Sequence, residues 1–133
     1  MSTYIKEQSE WKEKWKNFKL DEFKCKCGCA AVKVNAEILD LLQDARDELG
    51  SLSITSAYRC SSHNSSVSST GTNGPHTTGH ALDILVKDSK HRKQLIDYFT
   101  TKVTGLGVAK SFIHIDNLTA DEGFDMRPNA WKY

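Results

Sequence analysis

"SFIHIDN", residues 111–117, alternates apolar and polar side chains one by one from Ile113 to Asp116. Successive side chains on a β-strand point to opposite faces. Phe112, His114 and Asp116 therefore share one face, and Ile113 and Ile115 share the other. The isoleucines belong to a core, while the opposite face collects an imidazole and a carboxylate. The wider stretch "GVAKSFIHIDN" (107–117) reads as one strand or a bent pair. Upstream, "ALDILV" (81–86) and "LSITSAY" (52–58) are rich in β-formers and also read as strands. Pairing 81–86 with 112–117 would bring Asp83 opposite His114.

Helical periodicity fills the gaps between these strands. "AEILDLLQDARDEL" follows Asn35, a good N-cap, and places Ile38, Leu41, Leu42, Ala45 and Leu49 on one face before Gly50 ends it. "SKHRKQLIDYFTTKV" (89–103) is a second helix, capped by Asp88 or Ser89, with Leu95, Ile96 and Phe99 inward. Trp11, Trp15 and Phe18 stand at i, i+4 and i+7, which predicts an amphipathic helix over 3–18. Residues 60–78 are polar, with six serines, and read as a long functional or mobile loop. The tail "RPNAWKY" is expected to add an edge strand or to pack Trp131 over the core. The expected fold is α+β: a small, mostly antiparallel sheet flanked by helices. A single domain over 1–133 is expected, with the helix in 1–19 packed on it.

Composition narrows the function classes. With 133 residues the chain fits one core. Eighteen basic against 17 acidic residues give a net charge of +1, so no basic field argues for a nucleic-acid partner. No apolar run is long enough to cross a bilayer, and the N-terminus carries no signal-peptide pattern. The expectation is a monomer made in a cytoplasm, with no membrane insertion; action outside would require release by another agent.

The chemistry concentrates in "PHTTGHALDI" (75–84), which holds two of the five histidines beside Asp83. Zinc takes imidazole nitrogen and carboxylate oxygen, and a catalytic site keeps one position open beyond three protein ligands. His76 in the loop, Asp83 on the strand that follows and His114 on the neighbouring strand form such a set. By spacing alone, solvated loop histidines and an ordinary strand aspartate are nearly as good an account. The four cysteines are Cys25, Cys27 and Cys29 in "CKCGC", with Cys60 apart. Reduced structural thiols, a structural metal, or a disulfide from the cluster to Cys60 all fit that pattern.

Taken in order, "SAYRC", "HN", "PHTTGHALDI", "FIHID" and a C-terminal tryptophan resemble the zinc D-alanyl-D-alanine peptidase family, whose fold is shared by lysostaphin-type peptidases and the hedgehog signalling domain. The matching residues are Ser56, Tyr58 and Arg59; His76, Gly79, Ala81 and Asp83; Phe112, His114 and Asp116; and Trp131. They cover about residues 20–133. The short members among phage lysis enzymes and cell-wall endopeptidases are the most similar branch, including their cysteine-rich lead-in. The resemblance implies zinc held by His76, Asp83 and His114, with Arg59, Ser56 and Tyr58 at the substrate. It implies hydrolysis of a peptidoglycan stem-peptide or cross-bridge bond by a D,D-carboxypeptidase or endopeptidase.

The chain departs from the family pattern at three points. Gly74 and Pro75 stand where a serine usually lies two places before His76. His80 follows Gly79, often an arginine. Ser111 occupies the place of the carboxylate that serves many relatives as general base. Asp116 is the leading replacement, either as base or as a partner that orients a zinc histidine; His80 is a further candidate. The competing reading, favoured by Ser111, is a non-catalytic cell-wall or protein-binding module that retains its metal site.

Overall fold

The computed structural model describes residues 3–124 and 126–133. Its larger sheet has five strands: β3 (Ile54–Ser56), β4 (Ala81–Leu85), β6 (Phe112–Asp116), β5 (Gly105–Val108) and β7 (Asn129–Lys132), in that spatial order. All neighbours are antiparallel except β5 and β7, which run parallel. A two-stranded ribbon pairs β1 (Tyr4–Ile5) with β2 (Val34–Asn35). The α+β class is as expected. The 107–117 stretch is the bent pair, β5 turning into β6, and the tail supplies edge strand β7.

One face of the sheet is the core. Leu82 and Ile84 of β4 and Ile113 and Ile115 of β6 are almost fully buried. They pack with Ile38, Leu42 and Ala45 of α1 (Ala36–Leu49) and with Leu95 and Phe99 of α3 (Ser89–Phe99). The cap residues of both helices are legible in the chain: the side chain of Asn35 accepts the Ile38 N–H at 3.0 Å, and that of Asp88 accepts the His91 N–H at 2.7 Å. Capping satisfies an N–H that the first helical turn leaves without a carbonyl partner. α3 stops at Phe99, four residues before its expected end. Among the described residues no helix is long and apolar enough to cross a membrane.

Two expectations are corrected. Residues 3–18 do not form an α-helix: they hold β1, a 3-10 turn at Gln8–Glu10 and irregular backbone. The three aromatics nevertheless bury together, because the packing selects side chains and not the backbone that carries them. Trp15 is 1 % exposed, stacks edge-on with Trp11 and donates Nε1–H to Asp40 at 2.9 Å; Trp11 and Phe18 both meet Phe23. The 60–78 segment is not one open loop either. It contains the short helix α2 (Ser61–Val67) and a 3-10 turn at Pro75–Thr77. Its inward anchor is Asn64, 1 % exposed, whose amide donates to Thr70 Oγ1 and to the Gly71 carbonyl.

Candidate metal centre

Register builds the site on the face opposite the core. Asp83 pairs directly with His114, His114 with Gly107, and Gly107 with Trp131, while Ser56 pairs with Asp83 from the other side. One row across five strands therefore reads Ser56, Asp83, His114, Gly107, Trp131. Gly107 is the gap in that row. A Cβ there would lie 2.7 Å from Trp131 Nε1 and 2.9 Å from Tyr133 Cε2. Its absence lets the indole swing inward until its ring centroid is 5.3 Å from that of His114.

His76 enters from the 3-10 turn before β4. Its Nδ1 lies 2.6 Å from the Ala57 carbonyl and its Nε2 lies 3.2 Å from Asp83 Oδ1. His114 presents Nδ1 to the same Asp83 oxygen at 2.9 Å and Nε2 to Asp116 Oδ2 at 2.7 Å. All three residues are at most 5 % exposed, and a ligand atom from each lies within 4.8 Å of the others. The hydrogen bonds define what the cluster can hold. A carbonyl only accepts, so His76 Nδ1 carries the proton and Nε2 offers its lone pair. When His114 donates its Nε2–H to Asp116, its Nδ1 lone pair also faces inward. Two imidazole lone pairs and a carboxylate oxygen then face one another, and only protons or a cation reconcile them. The donor set of two nitrogens and one oxygen fits a zinc-type ion.

The local electrostatics follow from that crowding. Burial pushes the Asp83 carboxyl up, but hydrogen bonds from His114 and His76 outweigh it and hold it well below the usual carboxylate range. Burial pushes His114 toward the neutral form, and Asp116 and Asp83 overcome this and raise it. A cation arriving at Nδ1 must therefore displace a proton.

Asp116 lies behind His114, away from the cavity. It is fully buried and accepts from Arg127 Nε at 2.9 Å and Nη2 at 2.7 Å as well as from His114. Burial pushes its carboxyl up, but the Arg127 guanidinium, with His114, brings it down to about 2. Gly105 makes this packing possible, because a side chain there would collide with the Asp116 carboxylate and with Arg127. Its carboxylate is thus positioned to orient the His114 ring and is not among the residues lining the cleft. The other base candidate, His80, stands elsewhere, bonding Tyr4 Oη at 2.7 Å and Asn117 Oδ1 at 2.7 Å; Ser111, at the position of the missing carboxylate, is exposed beside β6.

A cleft of about 750 Å³ opens above the cluster. Arg59 reaches into it, with Nη2 3.8 Å from Asp83 Oδ2 and Nη1 donating to Asn64 Oδ1 at 3.1 Å. Phe112, Phe124, Trp131 and Tyr133 supply aromatic walls, and Ser56, Ser68, Ser69 and Thr70 a polar one. Among the described lining residues the one carboxylate is Asp83. Tyr58, expected at the substrate, does not line the cleft; burial and the nearby thiols of Cys60, Cys25 and Cys29 raise its phenol pKa, which places it on the cysteine side. Sequence reasoning missed Arg127. Its only sequence signal is a lone cation before the terminal strand, and its guanidinium also lies 4.7 Å over the Trp131 ring.

A family model described as peptidase M15 matches residues 16–116, well over half of the chain. No curated protein and no solved structure matches it. The matched span includes His76, Asp83 and His114, and M15 peptidases depend on a metal, for which this cluster is the possible site. The chain thus belongs to the peptidase M15 family, the family of the zinc D-alanyl-D-alanine peptidases.

Proposed function

We propose that this protein is a zinc peptidase that hydrolyses peptide bonds of peptidoglycan, in a stem peptide or a cross-bridge, as a D,D-carboxypeptidase or endopeptidase. The observation that carries the reading is the convergence of His76 Nε2, Asp83 Oδ1 and His114 Nδ1 at the floor of an open cleft. His76, Asp83 and His114 would hold the ion, which supplies Lewis acidity and makes water nucleophilic near neutral pH. Arg59 binds the substrate's carboxylate or scissile carbonyl through its forked donors, and Asn64 holds that fork in place. The same guanidinium stabilises negative charge that develops on the attacked carbonyl. Phe112, Trp131 and Tyr133 exclude water from one side of the cleft, which strengthens those charged contacts. The protein is expected to act as a monomer on the bacterial cell wall after release from the cytoplasm, in the manner of an endolysin.

The test is incubation of purified peptidoglycan with wild type and with His114→Ala. New amino groups released by wild type alone support the enzyme. One observation favours a second reading, a wall-binding module with a retained metal site: apart from Asp83, no carboxylate is among the described residues lining the cleft. That reading expects both proteins to sediment with wall material while neither cleaves it.

A further inference from the structure

Cys25, Cys27, Cys29 and Cys60 come together at the end of the molecule where the lead-in meets α2. One thiol from each lies within 4.8 Å of all the others, and all four are free. Cys25 and Cys27 Sγ are 3.5 Å apart, and Cys27 and Cys60 Sγ are 3.7 Å apart. A tetrahedral zinc with bonds of about 2.3 Å requires sulfurs about 3.8 Å apart along each edge. We propose that these four cysteines form a second, structural zinc site, separate from the histidine centre and independent of the peptidase reading.

The backbone around the thiols is arranged as a metal site requires. The segment 25–29 is closed by the Cys25 N–H donating to the Ala31 carbonyl at 2.8 Å, with Gly28 and Ala30 both at positive φ. This tight loop turns all three of its sulfurs toward Cys60. The Cys60 N–H points at Cys25 Sγ at 3.3 Å, and the His63 N–H at Cys60 Sγ at 3.4 Å. Backbone donors aimed at sulfur stabilise thiolates, the form that binds metal. On binding zinc the four thiols pass their protons to solvent, and no oxidant is consumed. A disulfide would need one pair at about 2.05 Å and would leave the other two sulfurs without a role.

The site has a structural consequence for the cleft. Cys60 follows Arg59 and caps α2, the helix that carries Asn64. Asn64 in turn holds both the Arg59 guanidinium and the Thr70–Gly71 turn beside the cleft. A zinc at the thiols therefore staples the lead-in to the segment that sets the position of Arg59. The sequence distance from Cys29 to Cys60 spans all of α1 and β3, so the closed loop is long and its constraint on the unfolded chain correspondingly large.

The test is zinc content of the full chain purified anaerobically with reductant. Wild type should carry about two equivalents, and His114→Ala and the exposed pair Cys27→Ser/Cys29→Ser about one each. Cobalt substitution tells the two sites apart: a thiolate charge-transfer band in the near ultraviolet should persist in His114→Ala and vanish in Cys27→Ser/Cys29→Ser. Should the cysteine variant fail to fold, wild type and His114→Ala still decide the matter. A His114→Ala protein that folds, holds no zinc and shows no thiolate band overturns the proposal. So does an intact mass, taken on wild type purified anaerobically without reductant, that is short by two hydrogens and regains them on reduction, which would reveal a disulfide.

Discussion

Replacing Asp116 with asparagine separates a residue that orients a metal ligand from one that takes part in hydrolysis. Asp116 is completely buried and accepts from three side-chain donors, two on Arg127 and one on His114, at 2.7–2.9 Å. An asparagine of the same shape has one acceptor oxygen and one NH2 group, so it sets donor against donor at Arg127 in either orientation, and at His114 as well in one of them. Losing one hydrogen bond to a charged partner costs about 1.5–3 kcal/mol of folding stability. The consequence for the metal is separate. His114 loses the anion that fixes its Nε2–H tautomer and aims Nδ1 at Asp83. Loss of such an outer partner weakens metal binding about 10–100-fold, which is about 1.4–2.7 kcal/mol. The assay is competition for zinc between the protein and a chromophoric chelator, followed by peptidoglycan hydrolysis at saturating zinc. Asp116→Asn should bind zinc about 10–100-fold more weakly and recover much of its turnover when zinc is in excess. Wild-type zinc affinity combined with abolished turnover at saturation would refute the reasoning, because it would place Asp116 at the reacting water.

Further outcomes follow from single contacts. Gly107→Ala puts a Cβ 2.7 Å from Trp131 Nε1, so it should cost about 1–3 kcal/mol in urea unfolding and lower hydrolysis by displacing the indole from His114; unchanged stability and activity would show that the row tolerates a methyl group. His91 is buried, with Nδ1 accepting the Lys87 N–H at 3.1 Å and Nε2 without a partner. Burial, then the Lys87 charge, lower its pKa below 6.5 against the weaker pull of Asp88. The unfolded chain therefore binds the proton more readily, and the stabilisation present above pH 6.5 is lost as pH falls toward the folded value. His91→Gln should flatten the fall in urea midpoint between about pH 7 and about pH 5; parallel pH profiles would count against that account.

Elements whose pattern is local could be read from the chain alone. Alternation in 112–116 put His114 and Asp116 on one face and two isoleucines on the other, and the capping side chains of Asn35 and Asp88 marked where α1 and α3 begin. His76, Asp83 and His114 were nameable as a set, and the structure brings them together. The facing of Asp83 and His114 was readable once 81–86 was paired with 112–117, and the structure pairs them so, but the register that adds Gly107 and Trp131 to the row was not legible. Alternation fixes which face a residue takes, but slides of two residues preserve the face and change every partner. The helix expected at 3–18 failed because Trp11, Trp15 and Phe18 satisfy a helical spacing that tertiary burial does not need. The helix in "SSHNSSV" was invisible because serines give it little propensity, and it exists through the cap at Cys60 and the burial of Asn64. The surroundings of Asp116 likewise came from the tertiary structure. Chain proximity to His114 allowed base or orienting partner, and only the arrival of Arg127, eleven residues further on, turned its carboxylate away from the cleft.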